Sequence, residues 1–210
     1  MRIPLGPTTS SNDTTRPLAV AVTGGIGAGK SEALRAFGRH GAATISSDDI
    51  VHRLLRDDRS VHRAIVERLG EAVLDEAGQI DRTAVARIVF ADPDALRFLE
   101  ELLHPLVVAE YLTWRESLGR LEDPPALCVT EVPLLYEVGG EDRFDYVVVI
   151  TAPDAARASR GRIPPTDREG RLIPDEEKVR RADAAYVNDG TRADLEVFVA
   201  GLVDELEGSR

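Results

Sequence analysis

A glycine-rich segment near the start of the chain constrains the fold more than any other feature of the sequence. Residues 24–31 have the sequence GGIGAGKS and match the pattern G-x-x-x-x-G-K-[S/T]. Glycines let the backbone wrap closely around phosphate groups while its amides point inward as donors. In this pattern Lys30 reaches the β- and γ-phosphates and the Ser31 hydroxyl binds Mg²⁺. The predicted nucleotide contacts are Gly25, Ile26, Gly27, Ala28, Gly29, Lys30, Ser31 and Glu32.

The surroundings of this segment favour a phosphate-binding loop over a chance match. An apolar run at residues 17–23 precedes it, and apolar residues at helical spacing follow it at 33, 34 and 37. A loop between a strand and a helix presents the helix N-terminus to the phosphates. The dinucleotide pattern G-x-G-x-x-G does not fit, because the third glycine comes one residue early and Lys-Ser follows it.

Further apolar segments predict an alternation of strands and helices. Short runs rich in β-branched residues predict strands at 17–23, 41–46, 126–132, 145–151 and 184–189. A C-terminal amphipathic helix is predicted from the spacing of Leu195, Val199, Leu202, Val203 and Leu206. This alternation predicts an α/β fold in which a parallel five-stranded sheet carries helices on both faces.

Residues 51–120 interrupt the alternation. They show helical periodicity and no strand pattern, and four segments each predict one helix: VHRAIVERLG, RTAVARIVF, PDALRFLEELL and PLVVAEYLTWRESL. We interpret them as a helical subdomain inserted into a nucleotide-binding core made of residues 17–50 and 121–210. Residues 1–16 are rich in Ser, Thr and Pro and predict a disordered N-terminal tail.

Two adjacent acids, Asp48 and Asp49, follow the second predicted strand. In open α/β sheets the carboxyl ends of the strands line the ligand crevice. We therefore expect Asp48 to face the terminal phosphate, where a carboxylate orients a hydroxyl nucleophile and accepts its proton. Asp49 is interpreted instead as part of a helix N-terminus.

Composition narrows the class of protein and its partners. The net charge is -11 at pH 7, so a nucleic-acid partner is not expected and polyanions must be held by local donors. No apolar run approaches the roughly 18 residues of a membrane span, so no membrane association is expected. The single cysteine, Cys128, excludes an internal disulfide and indicates a reducing, cytoplasmic location. The sequence leaves the oligomeric state open, and a monomer is compatible with it.

Several segments, in order along the chain, resemble the dephospho-coenzyme A kinase family. VTGGIGAGKS is similar to its phosphate loop, and ISSDDIVHRLL to its I-D-A-D-x-I segment. AGQIDRTAVARIVFADPDALRFLEELLHPLV resembles its inserted helices, VTEVPLLYEVG its D-x-P-L-L-F-E segment, and EEKVRRADAAYVNDGT its K-x-x-x-A-D segment. The likeness runs from about residue 18 to 207. It implies a P-loop kinase fold with a lid at about 154–177 and an acceptor-binding role for the helical subdomain.

The resemblance also implies a reaction and roles for individual residues. ATP would phosphorylate the ribose 3′-hydroxyl of dephospho-CoA, giving CoA and ADP in the last step of coenzyme A biosynthesis. Asp48 falls on the family's catalytic base, and Glu131 takes the place of an acid near Mg²⁺ and the substrate. Asn188 and Gly190 fall where the family holds the adenine. The acceptor pocket would be lined by Asp48, His104, Glu131, Pro133, Leu134, Tyr136 and Glu137.

The chain departs from the family pattern in three places. Ser46 replaces the first acid of D-A-D, and Glu32 replaces a small residue after Lys-Ser. The expected lid is about a turn or two of helix shorter, and Pro164-Pro165 interrupts its helix. Kinase lids bring arginine onto the transferring phosphate, so Arg160 and Arg168 are the candidate catalytic residues there. They belong to a set of five: Arg157, Arg160, Arg162, Arg168 and Arg171.

Two other functions stay open from the sequence. Another small-molecule or nucleoside kinase of the same fold would differ in the acceptor, which the helical insertion selects. A nucleotide-binding homologue with weakened catalysis would be explained by Ser46 and the short lid. A GTPase-like switch is disfavoured, because D-x-x-G occurs at both 75–78 and 167–170, neither after a strand, and N-K-x-D is absent. The absence of H-E-x-x-H and G-x-S-x-G argues against metal and serine hydrolases.

Overall fold

The computed structural model of the chain describes residues 16–159 and 172–209. The predicted tail, apart from Arg16, lies outside the described residues, and so do the candidate arginines Arg160 and Arg168. Arg16 itself contacts the carboxylate of Asp145, with Nη2 at 2.8 and 3.0 Å from its two oxygens.

Five strands form one parallel sheet with the order β2-β3-β1-β4-β5. They are β1 Leu18–Gly24, β2 Ala43–Ser46, β3 Leu127–Glu131, β4 Tyr146–Thr151 and β5 Ala184–Val187. All five predicted strands are thereby confirmed, with ends that differ by at most two residues. The central strand is β1, so the glycine-rich loop leaves the middle of the sheet edge. The register pairs Glu131 with Val22 on one side and with Ser46 on the other.

Eight α-helices occur in the described ranges. They are α1 Lys30–Arg39, α2 Ser47–Asp57, α3 Arg59–Leu69, α4 Arg82–Ala91, α5 Pro93–Leu118, α6 Asp154–Ser159, α7 Asp175–Arg181 and α8 Arg192–Gly208. Two short 3₁₀ turns occur at Glu71–Val73 and Glu141–Arg143. Within these ranges no helix is long and apolar enough to cross a membrane.

The three inner strands, β1, β3 and β4, are buried on both faces, which explains their nearly continuous apolar runs. Alternate residues of β1 point to opposite faces. Val20 and Val22 pack with Phe37 of α1 and with the apolar stripe of α8. Ala21 packs on the other face with Leu135 and with Val147 and Val149 of β4. The predicted two-sided α/β architecture is confirmed.

Helices α2 to α5 enclose a hydrophobic core of their own. Its buried members include Ile50, Val61, Ile65, Val85 and Tyr111. Phe144, just before β4, packs against this helical core and also against the lower face of the sheet, the face that carries Ala21. The Phe144 ring stacks on Tyr111 with the ring centroids 5.7 Å apart.

The prediction of two helices on either side of Pro105 is wrong, because α5 runs unbroken through it. Proline in a helix interior removes one backbone hydrogen bond and costs about 3 kcal/mol. Leu103, Val107 and Tyr111 form a stripe at four-residue spacing that is buried across the proline. Each buried apolar side chain contributes roughly 1.5–3 kcal/mol, so the packing of this stripe offsets the lost bond.

Candidate active site

Three glycines of the glycine-rich loop, Gly24, Gly27 and Gly29, have positive φ, a backbone conformation that favours glycine. Gly24 has φ 135°, and a Cβ there would lie 1.9 Å from the carbonyl oxygen of Ile150 in β4. Gly29, the residue before α1, has φ 103°. The loop therefore lies directly against the end of β4 and turns into α1 through a left-handed residue.

Lys30 is buried at the mouth of this loop, with only 8% of its surface exposed. Its Nζ donates to the carbonyl oxygens of Gly24 at 3.1 Å and Gly25 at 2.9 Å. Burial lowers the pKa of Lys30, and the neighbouring charge of Glu131 opposes that shift. The same electrostatic environment includes Asp48, so the predicted phosphate ligand and the predicted base lie within range of each other.

Glu131 ends β3 and lies beside the first turn of α1. The Ser31 hydroxyl donates to Oε1 of Glu131 at 3.2 Å, and Glu131 is 4% exposed. Burial raises the pKa of Glu131, while Lys30 and the Ser31 hydrogen bond lower it. The structure thus brings together Lys30, Ser31 and Glu131. Ser31 and Glu131 are 100 residues apart in the sequence.

The oxygens of Ser31 and Glu131 fit a Mg²⁺ site. Magnesium prefers hard oxygen ligands, and nucleotide enzymes hold it with one or two protein groups plus substrate phosphates and water. A hydroxyl and a carboxylate already in contact supply that donor set. No cluster of three or more metal-binding side chains occurs in the part of the chain that the structure describes.

Asp48 lies in the first turn of α2, two residues after the end of β2. It is exposed at the carboxyl edge of the sheet, whereas the preceding Ser46 is 8% exposed and pairs in register with Glu131. Asp49 is also exposed in that turn. The end of β2 therefore presents Asp48 on the same edge as the phosphate loop.

Asn188 and Gly190 follow β5, on the opposite side of the loop. The Asn188 side chain donates from Nδ2 to the carbonyl oxygen of Ala28 at 2.8 Å and is buried. It therefore ties the end of β5 to the phosphate loop. A Cβ on Gly190 would lie 2.6 Å from Oδ2 of Asp194, which caps α8 together with Thr191.

The segment after β3 places its predicted residues in different surroundings. Glu137 pairs with Lys178, with Nζ 2.7 Å from Oε1, and accepts from the amide of Ile173 at 3.1 Å. The Tyr136 ring lies under the guanidinium of Arg181, and burial raises its pKa to about 12. Tyr136 packs with Ala21 on the lower face of the sheet.

Pro133 and Leu134 lie nearer the loop, directly after β3. The Pro133 carbonyl accepts from the Thr23 hydroxyl at 3.4 Å, at the end of β1. Leu134 is 40% exposed. These two positions therefore leave an apolar surface beside the carboxyl edge of the sheet.

His104 lies on α5 in a groove of about 420 Å³, away from the phosphate loop. Its neighbours in the groove are Pro105, Val108, Ala109, Leu112 and Arg143. None of the loop residues lines this groove. The groove on α5 is therefore separate from the phosphate loop.

Glu32 is neutralised by three arginines. Its carboxylate lies 3.0 Å from Arg35, 3.2 Å from Arg39 and 3.1 Å from Arg192. The side chain is thus part of an ion-pair network that joins α1 to α8.

Three charged residues near the loop were not assigned roles by the sequence. Arg157 of α6 forms an ion pair with Asp175 of α7, and Lys178 is the buried partner of Glu137. Asp175 lies in the first turn of α7. An acid at that position is ordinarily explained by its favourable interaction with the helix dipole, so the sequence offered no reason to expect an ion pair. The K-x-x-x-A-D pattern contained Lys178 and was the one available signal for it.

Comparisons with known proteins agree with this geometry. The sequence model of the dephospho-CoA kinase family matches residues 18–194. The chain is 39% identical over 189 residues to a dephospho-CoA kinase of Symbiobacterium thermophilum, covering 84% of this chain and 78% of that protein. It is 34% identical over 182 residues to the Coxiella burnetii enzyme of that name, covering 83% and 89%.

Solved structures give the same result. A Thermus thermophilus protein superposes with a TM-score of 0.72 at 33% identity, covering 91% of this chain and 98% of the other. The dephospho-CoA kinase from Campylobacter jejuni superposes with a TM-score of 0.68 at 26% identity, with the same coverage.

Proposed function

This chain belongs to the dephospho-CoA kinase family and is an ATP-dependent kinase, and from that premise we propose how its own residues carry out the reaction. The terminal phosphoryl group of ATP passes to the ribose 3′-hydroxyl of dephospho-CoA, and the products are CoA and ADP. The observation that carries the proposal is the assembly of Lys30, Ser31 and Glu131 at one sheet edge, with Asp48 on the next strand end.

On the donor side, Lys30 exchanges partners when the nucleotide binds. Its Nζ, held by the carbonyls of Gly24 and Gly25, moves to the β- and γ-phosphates. Ser31 and Glu131 would hold Mg²⁺, which supplies neutralisation of the charge that develops on the transferring group. Asn188 keeps the loop in place through Ala28 and lines the adenine side.

On the acceptor side, Asp48 is the proposed general base. It is exposed at the sheet edge, so a substrate hydroxyl can reach it, and the N-terminus of α2 favours a carboxylate. Glu131 is less suited to this role, because it is buried and already accepts from Ser31. Helices α2 to α5 form the acceptor-binding subdomain, with His104 and its groove on α5 as the acceptor contact.

Several finer assignments belong to the same proposal. Arg160 and Arg168, which lie outside the described residues, would bind the phosphates from the lid segment. Glu137 and Tyr136 stabilise the acceptor pocket without contacting the acceptor directly, because the carboxylate of Glu137 already forms an ion pair with Lys178. The location is cytoplasmic, in keeping with the buried, unpaired Cys128.

An ADP-release assay tests the function. Dephospho-CoA should stimulate ADP release, whereas nucleosides and shikimate should not. Turnover of another acceptor without stimulation by dephospho-CoA would refute the proposed substrate and favour a related small-molecule kinase. Absence of turnover with every acceptor, despite ATP binding, would indicate a homologue with weakened catalysis.

The base is tested by Asp48→Asn, with Asp49→Asn as the matched control in the same helical turn. We expect Asp48→Asn to lower kcat about a hundredfold or more, because general base catalysis contributes about 10²–10⁴-fold. Asp49→Asn should change kcat less than threefold. Similar losses in both variants would contradict the assignment of Asp48.

A further inference from the structure

The outer side of the phosphate loop is covered by the ion pair between Arg157 and Asp175. The two residues are 18 positions apart and lie on different helices, α6 and α7. Their side chains are about three-quarters buried, at 23% and 25% exposure. The pair is therefore not an ordinary solvated surface contact.

Gly25 is the loop residue against which the pair lies. A Cβ added to Gly25 would lie 2.8 Å from Nη2 of Arg157, 2.9 Å from its Nη1 and 2.8 Å from Oδ2 of Asp175. Only a residue without a side chain allows this close approach. The carbonyl of the same glycine accepts from Nζ of Lys30 at 2.9 Å. Gly25 thus connects the ion pair to the proposed phosphate ligand.

Arg157 is fixed from a second direction as well. Its Nε donates to the carbonyl of Ala152, just after β4, at 2.8 Å. The planar guanidinium holds its donors in a rigid fork, whereas the donors of a lysine all lie on one rotatable ammonium group. Two contacts in different directions hold the guanidinium against the loop: Ala152 after β4, and Asp175 on α7.

We propose that Arg157 and Asp175 are a positioning pair that keeps Gly24-Gly25 in the conformation that receives the nucleotide phosphates. The inference rests on the ATP-binding part of the proposed function and does not depend on the acceptor. Arg157 acts through Gly25 and not by touching the phosphates. Asp175 also supports Lys30 electrostatically, since its negative charge opposes the effect of burial on the pKa of Lys30.

Direct binding measurements with Arg157→Ala and Asp175→Asn test the proposal. Calorimetry with MgATP, ADP and adenosine separates contacts to the phosphates from contacts to the base. We expect both variants to weaken ATP and ADP about tenfold, the effect of one lost charge-assisted hydrogen bond, and to leave adenosine unchanged. Arg180→Ala is the matched control, because it removes an exposed ion pair with Glu177 on the same helix. It should leave ATP affinity unchanged.

Opposite effects of the two variants would overturn the proposal. If Arg157 touched the phosphates and Asp175 merely restrained it, Asp175→Asn would bind ATP more tightly while Arg157→Ala bound it more weakly. Unchanged ATP affinity in both variants, or an equal loss in Arg180→Ala, would also overturn it. Arg157→Lys keeps the charge without the fork, and we expect it to lose affinity nearly as much as Arg157→Ala.

Gly25→Ala provides a second test, because its effect can be compared in wild type and in the Arg157→Ala background. The added methyl group should displace the ion pair and weaken ATP binding in the wild-type background. In the Arg157→Ala background the obstruction is smaller, so the same substitution should cost less than half as much in fold-change. If the loss of ATP affinity in the double variant equals the product of the losses in the two single variants, the ion pair and the loop are independent. Because every readout is nucleotide binding, a wrong acceptor would leave these results unaffected.

Discussion

Lys178 and Glu137 form the most deeply buried ion pair among the described residues, and loss of one partner should destabilise the protein strongly. Lys178 is 1% exposed and Glu137 10% exposed. In Lys178→Met, Oε1 of Glu137 keeps only the amide of Ile173 as a donor. Its Oε2 is buried and has no hydrogen-bond partner in the described part of the chain. Removing one partner of such a pair typically costs about 3–5 kcal/mol.

Urea and thermal unfolding measure this loss. A protein of this size loses about 2–4 °C in Tm per kcal/mol, so Lys178→Met should unfold roughly 6–20 °C lower. The double variant Lys178→Met, Glu137→Leu should recover part of the loss, because no charge is then left buried. Arg97→Ala is the control, since it removes an exposed pair with Asp94 and should cost less than about 1 kcal/mol.

Two results would refute the reasoning on this pair. A loss below about 1 kcal/mol in Lys178→Met would show that Glu137 finds other partners or water. A Glu137→Gln variant with unchanged unfolding and a raised KM for dephospho-CoA would show that Glu137 contacts the acceptor directly. The pair would then belong to the substrate pocket and not to the framework beneath it.

Three further predictions concern single residues. Burial raises the pKa of Cys128 to about 11. At pH 8 the native thiol should therefore react with a disulfide reagent at least a hundredfold more slowly than the thiol of the protein unfolded in urea. Equal reaction rates would contradict the burial of Cys128. Hydrogen bonds from Ser60 and Val61 lower the pKa of Asp58, whose carboxylate caps α3. Wild type should therefore be more stable than Asp58→Ala by the full amount above pH 3.8, the ordinary pKa of an aspartate, and this difference should disappear as the pH falls through the lower pKa of Asp58 in the folded protein. Thermal unfolding of both proteins as a function of pH measures the difference. A difference that does not change with pH would argue against the cap. Gly24→Ala should destabilise the chain by about 3 kcal/mol and abolish ADP binding, because its Cβ would collide with Ile150; near-native unfolding and binding would contradict the loop geometry.

The sheet and the phosphate loop could be predicted because their signals are local. Strands β1, β3 and β4 are buried on both faces, so the sequence of each is a short continuous apolar run that can be recognised without knowledge of its neighbours. The glycines of the loop are required by backbone angles at single positions, such as φ 135° at Gly24. Asp48 could be placed at the sheet edge because the carboxyl ends of parallel strands meet there.

The features that escaped prediction depend on contacts between distant segments. Pro105 suggests a helix boundary by its local chemistry, and only the buried stripe of α5 keeps the helix continuous. The pairing of Arg157 with Asp175, and of Lys178 with Glu137, follows from the order of strands and helices around the sheet. A charged residue has the same local appearance whether it faces water or a buried partner. The sequence predicts Gly25 as a nucleotide contact, whereas in the structure Gly25 also leaves room for the side chain of Arg157.

The separate hydrophobic core of α2 to α5 has a consequence for how such an enzyme changes over evolutionary time. Substitutions in that core can reshape the groove around His104 while the loop, held by β4 and by the hydrogen bond from Asn188 to Ala28, keeps its geometry. Helix α2 also carries Asp48, so an altered insert grafted onto the same nucleotide-binding core would have to keep the first turn of α2. Phe144 and Ile45 both pack against the helical core from the side of the sheet, so such a graft would also have to keep their contacts.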